Sequence, residues 1–370
     1  MRPAPKRIGV NALYLIPGGV GGTEIYLRSL LAGLAEVDRH NQYFVFTNQE
    51  TGADLVPARE NFHWQPQRVR ARNRPARILF EQTLLPLAAV RLQLDVLFNP
   101  GFTAPVFCPC PQVTVFHDLQ HKRHPEYFRW FDLPFWNLLL YASAHLSARL
   151  ITVSEATRAD VLAHYRLCPE KVVSVLSGVD EVFFEIADRR HPEPFLLAVS
   201  TLHPHKNLDG LLRAFARLRQ VRPDIRLVVC GMHGFFTGPL QQLREELALG
   251  DSVDFPGWIP RTELHELFAR ACAFVYPSRF EGFGIPVLEA LAAGVPSACS
   301  AIEPLLTLSG TAALHFNPAD SDALYDAMFH LVSDDTLRSR LTCEGPVQAR
   351  KFSWKKAAAG TLEVLSLVSK

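Results

Sequence analysis

The most specific chemical signal in this chain is Tyr276-Pro-Ser-Arg-Phe-Glu-Gly-Phe-Gly-Ile-Pro-Val-Leu-Glu-Ala290. Glu281 falls in a loop after an apolar run, Gly282 and Gly284 open the backbone, and Pro286 suits the first turn of a helix that carries Glu289. A carboxylate at such a place repels phosphate but accepts hydrogen bonds from hydroxyl groups, which a sugar ring or a ribose supplies. For Glu289 alone, a favourable first-turn acid is the equal alternative. Ala198-Val-Ser-Thr-Leu-His-Pro-His-Lys-Asn-Leu208 runs from strand through loop to helix. There the Lys206 ammonium and the amides of a helix start, with Asn207 as its N-cap, converge where a phosphate could dock. The alternative is a solvated lysine, although a cation opposes the helix dipole at that end.

Two further segments lie nearer the N-terminus. The glycines of Pro17-Gly-Gly-Val-Gly-Gly-Thr-Glu24 permit positive φ and bring amides close to an anion. This is not a dinucleotide fingerprint: Gly19 and Gly21 fit its first pair, but Glu24 takes the third glycine's place and 43–48 ends without an acid for a ribose. A tight strand-to-helix turn is the alternative. Val113-Thr-Val-Phe-His-Asp-Leu119 sets His117 and Asp118 at a strand end, where adjacent side chains diverge. One then faces a ligand and the other supports the loop, or the histidine is structural. Asp320-Ser-Asp322 opens a helical stretch and reads as a cap, and Cys108-Pro-Cys110 is too closely spaced for a zinc site, so no metal is expected. Jointly these residues ask for a polyhydroxylated, phosphorylated ligand.

Short apolar runs must carry these loops. Residues 8–16, 43–46, 95–98, 113–116, 151–153 and 172–175 read as buried strands, alternating with helical stretches such as 23–37. The pattern restarts after the charged, proline-bearing stretch 188–194, with strands at 195–199, 226–230, 253–255, 273–276, 296–299 and 313–316. Alternation of strand and helix predicts parallel sheets, hence an α/β chain of two doubly wound domains, 1–188 and 189–352, facing a central cleft. The length of 370 residues allows two such domains.

Composition narrows the classes. With 38 basic and 37 acidic residues the formal charge is +1, which argues against a nucleic-acid-coating protein. Seven cysteines without paired spacing suggest a reducing compartment, and the basic N-terminus lacks a cleavage-like site, so a cytoplasmic protein is expected. The apolar window 135–153 is broken by Asn137, His145 and Arg149, which leaves only peripheral membrane contact. Arg68, Arg70, Arg72, Arg74 and Arg77 form a local cluster that would meet anionic lipid headgroups or an acceptor diphosphate, or is simply a solvated basic loop.

Taken together, these segments resemble the retaining, nucleotide-sugar-dependent glycosyltransferases of group 1, also called family four, over nearly the whole chain. The resemblance rests on Glu281 and Glu289 within Glu-Gly-Phe-Gly-Ile-Pro, the glycine loop, Val-Phe-His-Asp-Leu, 151–157, 177–180 and the ending Lys351-Phe-Ser-Trp354. It implies the GT-B fold, two Rossmann-like domains with the acceptor on the first and the nucleotide sugar on the second, and a helix at about 353–370 crossing back onto the first. It implies that Lys206 holds the donor pyrophosphate, Glu281 the sugar hydroxyls and Glu289 the ribose, with the backbone of Phe283, Gly284 and Ile285 against sugar and phosphates. It places His117 near the transferred sugar and Gly21 and Gly22 at the diphosphate, while Trp258 and Ile259 resemble a base-reading segment. Many relatives carry an assisting arginine where this chain has Thr201 or His205. The expected reaction is metal-independent transfer of a hexose, with retention, from GDP-mannose in preference, or a UDP-sugar, to a glycan, polysaccharide or lipid-linked acceptor. A non-catalytic nucleotide-sugar-binding subunit and a GT-B epimerase are the alternatives.

Overall fold

The apolar runs form two separate all-parallel sheets in the computed structural model, which describes residues 4–128, 130–232, 234 and 236–368. The chain divides into two units. One comprises the residues up to Ser177 together with those from Trp354 onward, and the other is Gly178–Ser353.

In the first unit, β1 (Arg7–Asn11), β2 (Gln42–Thr47), β3 (Phe62–Pro66), β4 (Val96–Asn99), β5 (Gln112–Phe116), β6 (Arg149–Thr152) and β7 (Val172–Ser174) lie in the order β3-β2-β1-β4-β5-β6-β7. The order reverses between β1 and β4, and in sheets of this kind ligands bind beyond the carboxyl ends of the strands at such a switch point. β3 was not expected: Phe-His-Trp-Gln-Pro alternates in burial and sits at the sheet edge, so it lacks the apolar run that marks a central strand. The helix Trp354–Val368 belongs to this unit and packs on the helix Gly22–Val37. A Cβ added at Gly33 would stand 2.8 Å from the Trp354 carbonyl oxygen, so only glycine permits that approach.

In the second unit, β8 (Glu193–Val199), β9 (Arg226–Cys230), β10 (Val253–Gly257), β11 (Ala271–Tyr276), β12 (Ser297–Ser300) and β13 (Leu314–Phe316) are ordered β10-β9-β8-β11-β12-β13, with the switch point between β8 and β11. Its core includes Leu208, Leu211, Leu212, Phe215 and Leu218 on one face of the helix Leu208–Val221, packed on β8, β9 and β11. Each such side chain contributes about 1.5–3 kcal/mol on burial, which holds the β8 loop in a fixed place.

The boundary expected at 188 moves to Ser177, so the helix Val182–Asp188 belongs to the second unit. Its apolar face decides this, because Phe183 packs edge-on against Phe268 at 5.4 Å. The charged stretch that read as a linker is bound into the same unit: the Arg190 guanidinium donates to the Gly294 and Ala271 carbonyls, the latter at 2.6 Å.

Candidate active site

The loops after β8 and β11 flank the switch point of the second sheet and are cross-linked there. Lys206 closes the short 3-10 turn Pro204–Lys206, and its Nζ lies 2.6 Å from Glu281 Oε1 and 3.3 Å from the Tyr276 hydroxyl. The Lys206 and Glu281 side chains are only 12 % and 9 % exposed, which makes the pair a fixed, largely desolvated contact. An ammonium has three donors. Two are engaged here, and the remaining one is suited to an anion.

Arg279, half-way along the β11 loop, adds two bonds to the same β8 loop. Its backbone amide donates to the His205 carbonyl at 2.7 Å, and its Nη2 donates to Asn207 Oδ1 at 2.7 Å. Asn207 precedes the helix Leu208–Val221 as expected, but its side chain makes no capping bond. The residue is left-handed, with φ 54°, and its Nδ2 donates instead to the Pro318 carbonyl at 3.0 Å. Asp320, by contrast, is a true cap, accepting from the Asp322 and Ala323 amides at 2.9 and 3.0 Å.

Gly284 precedes the helix Ile285–Ala292 with φ 105°, and a Cβ there would lie 2.4 Å from Leu305 Cδ2. Glycine is thus favoured by conformation, and any side chain there would also have to displace Leu305. Phe283 is buried with its ring edge-on to Phe352. Glu289 lies beyond the first turn of this helix, which has no first-turn acid, so the helix-dipole alternative does not account for it. It is 2 % exposed, and its Oε1 accepts from Arg261 Nη1 at 2.8 Å, while Arg261 Nη2 reaches Asp180 Oδ2 at 3.2 Å. Burial raises the Glu289 carboxyl above its ordinary range against the opposing pull of Arg261. Arg261 was missed in the sequence. The available signal was a cation opening a helix, Arg261–Arg270, where the dipole favours an acid. Trp258 and Ile259 follow β10 at the edge of this sheet, past the left-handed Gly257 at φ 75°; Trp258 is largely exposed. Thr201 and His205 both lie in the β8 loop with Lys206.

The other expected residues belong to the first unit. Gly21, at φ 59°, precedes the helix Gly22–Val37, and a Cβ on Gly22 would meet nothing within 4 Å, so this helix start is open. Glu24 fastens the loop, accepting from the Gly18 amide at 2.8 Å. His117 is drawn to the same helix by an edge-on contact of 4.7 Å with Tyr26. Its Nε2 donates to the Pro100 carbonyl at 2.7 Å, which leaves Nδ1 as the acceptor of a neutral ring. Burial lowers its pKa to about 4. Asp118 is the loop-supporting member of the pair, accepting from the Gln120 amide at 2.9 Å. Because His117 titrates well below neutrality, kcat/KM of any reaction at this residue is expected to show no histidine inflection between about pH 6 and 9. An inflection that disappears in His117→Gln would overturn this reading.

The arginine cluster is not one surface. Arg68, Arg70 and Arg72 are exposed, but Arg74 stacks on Trp136 at 3.8 Å and Arg77 is 7 % exposed. The helix Arg74–Arg91 turns the last two inward, so they leave the basic patch expected from spacing alone.

Residues 179–347 match the family described as "Glycosyl transferases group 1", and residues 20–183 match "Glycosyltransferase Family 4". The chain is similar to O-antigen chain mannosyltransferase B of Escherichia coli, 29% identical over 271 residues that span 69% of this chain and 70% of the relative. It is 31% identical over 264 residues to the MMP alpha-(1->4)-mannosyltransferase of Mycolicibacterium hassiacum, spanning 68% of this chain and 64% of the relative. Among solved structures it is similar in fold to Anabaena HepE in complex with UDP-glucose, with TM-score 0.75 and 17% identity over 98% of this chain and 99% of that one.

Proposed function

The chain belongs to the group 1 glycosyltransferases and has their GT-B fold, and we propose that it moves a hexose, mannose in preference, from a nucleoside diphosphate sugar to a glycan, polysaccharide or lipid-linked acceptor. The observation that carries this reading is the Lys206–Glu281 contact at the switch point of the second sheet, followed directly by the glycine-opened helix start. Mannosyltransferase relatives favour GDP-mannose, and a UDP-glucose-bound neighbour makes a UDP-sugar the second choice.

In this reading the bond from the sugar C1 to the phosphate oxygen breaks, a bond from the acceptor oxygen to C1 forms on the same face, and the acceptor proton passes to the leaving diphosphate. Lys206 and the amides of Phe283, Gly284 and Ile285 stabilise the charge that develops on that diphosphate, so no metal is called on. Gly21 and Gly22 open a helix start in the first unit that suits an anion. Glu281 accepts from sugar hydroxyls, Glu289 from the ribose, and Trp258 and Ile259 border the base. His117 accepts a sugar hydroxyl at Nδ1 without taking up charge. Arg279, tied to the His205 and Asn207 segment, supplies a basic group beside the positions where relatives carry an arginine, Thr201 or His205.

The test is calorimetric titration of GDP, UDP, ADP and their sugars, with and without metal, followed by product analysis with candidate acceptors. Selective binding of one nucleotide sugar and its transfer support the proposal. Binding without transfer or hydrolysis favours a non-catalytic subunit, and altered sugar without acceptor favours an epimerase.

We extend the proposal to peripheral membrane contact. No described helix is long and apolar enough to cross a membrane. The helix Leu133–Leu146 and the residues before it nevertheless leave Trp130, Phe131, Phe135, Leu138 and Tyr141 more than half exposed. An aromatic and aliphatic stripe of this kind suits the headgroup boundary. Replacing Phe135 and Leu138 with glutamate is expected to cut co-sedimentation with anionic vesicles by about tenfold. Unchanged sedimentation would remove the membrane reading.

A further inference from the structure

Arg77 is a buried cation whose hydrogen-bonding capacity its own fold leaves unused. Its side chain is 7 % exposed, its Nε is fully buried without a hydrogen bond, and no described residue hydrogen-bonds or ion-pairs with its guanidinium. A charge taken out of water needs a counter-charge or hydrogen bonds to offset its lost hydration. The buried carboxyl of Glu81, one turn later on the helix Arg74–Arg91, is electrostatically coupled to Arg77 but gives its oxygens to other donors. Its Oε1 accepts from Asn11 Nδ2 at 2.9 Å and from Thr103 Oγ1 at 2.8 Å.

The place is informative. Asn11 ends β1, Asn99 ends β4, and the two are hydrogen-bonded at 3.1 Å, so Glu81 marks the switch point of the first sheet. Arg77 shares the buried face of its helix with Glu81 and is electrostatically coupled both to it and to Tyr14 of the loop after β1. Arg74 lies one turn earlier on that helix, its guanidinium stacked on Trp136 and repelled by Arg77. Two positive groups within one helical turn, one of them buried and without a side-chain hydrogen bond, are relieved by a single multiply charged anion. The guanidinium fork matches phosphate oxygens two at a time.

We propose that Arg77, assisted by Arg74, is the receptor for a phosphate or diphosphate group on the acceptor, at the switch point of the first sheet. The word acceptor rests on the transferase reading; the anion site itself does not. It makes the substrate class a phosphorylated one, either a lipid-linked diphosphate or a soluble sugar phosphate.

The experiment titrates inorganic pyrophosphate into Lys206→Ala, whose donor anion site is removed, and into Lys206→Ala carrying Arg77→Met or Arg74→Gln. The parent is expected to bind, Arg77→Met to weaken binding at least about tenfold, and Arg74→Gln about threefold. Equal pyrophosphate affinity with and without Arg77 would overturn the proposal and make Arg77 a structural residue. Competition by an isoprenyl diphosphate in micelles and by glucose 1-phosphate then separates the two sources. Nucleotide-sugar binding by the unmodified chain is measured alongside, so that failure of the donor reading is seen independently.

Discussion

Lys206→Ala is expected to lower kcat/KM for transfer by about 10³-fold, with the loss mainly in kcat, because a preorganised cation at a leaving group acts where charge develops in the transition state. It also strands Glu281, whose carboxylate is 2.6 Å from the ammonium and only 9 % exposed. Leaving such a group unpaired costs about 1–3 kcal/mol of stability. The double variant Lys206→Ala with Glu281→Gln is expected to regain most of that stability and none of the activity. Steady-state kinetics and urea unfolding of both variants check the separation. Activity that survives Lys206→Ala, or that returns with stability in the double variant, would show that the lysine is only a structural partner.

The second large effect is on folding. Arg261→Ala leaves Glu289 buried without its counter-ion, and removing one partner of such a pair costs about 3–5 kcal/mol. The pH dependence follows from the direction of the Glu289 shift. Burial already raises this carboxyl in the intact protein, so its protonated form is the one favoured by folding. A group raised in the folded state contributes stability that is present below its unfolded value, near 4.5, and is lost as pH rises through its folded value. Without Arg261 the folded value climbs further. The deficit relative to the intact protein is therefore expected to be greatest at neutral pH and above, and to shrink as pH falls toward about 4.5. Arg261→Met with Glu289→Gln should recover stability while still losing nucleotide affinity. A deficit that does not change with pH would mean that Glu289 is not its source.

Much of this site was legible because it depends on local rules. Gly284 announces a left-handed helix start, Pro286 the first turn after it, and the apolar runs of β8 and β11 the strands that deliver Lys206 and Glu281. The errors share one cause. The stretch 188–194 looked like a linker because charge and proline are read locally, yet Arg190 finds its carbonyl partners at Ala271 and Gly294. Asn207 looked like a cap because its position is local, yet its side chain is claimed by Arg279 and Pro318. The five arginines looked like one patch until a helix divided the last two from the rest.

The sequence by itself determined the α/β class, the restart of the pattern in a second wound unit, and the family, because strand and helix periodicity and glycine requirements act over a few residues. Only the tertiary structure decided which charges meet. Lys206 and Glu281, or Arg261 and Glu289, stand far apart along the chain and become neighbours when parallel strands bring their carboxyl ends to one edge. The same packing, by burying Arg77 and committing the oxygens of Glu81 to other donors, left one guanidinium without a side-chain hydrogen bond. Ion pairing depends on distance and lost hydration, and neither quantity exists until the chain has folded.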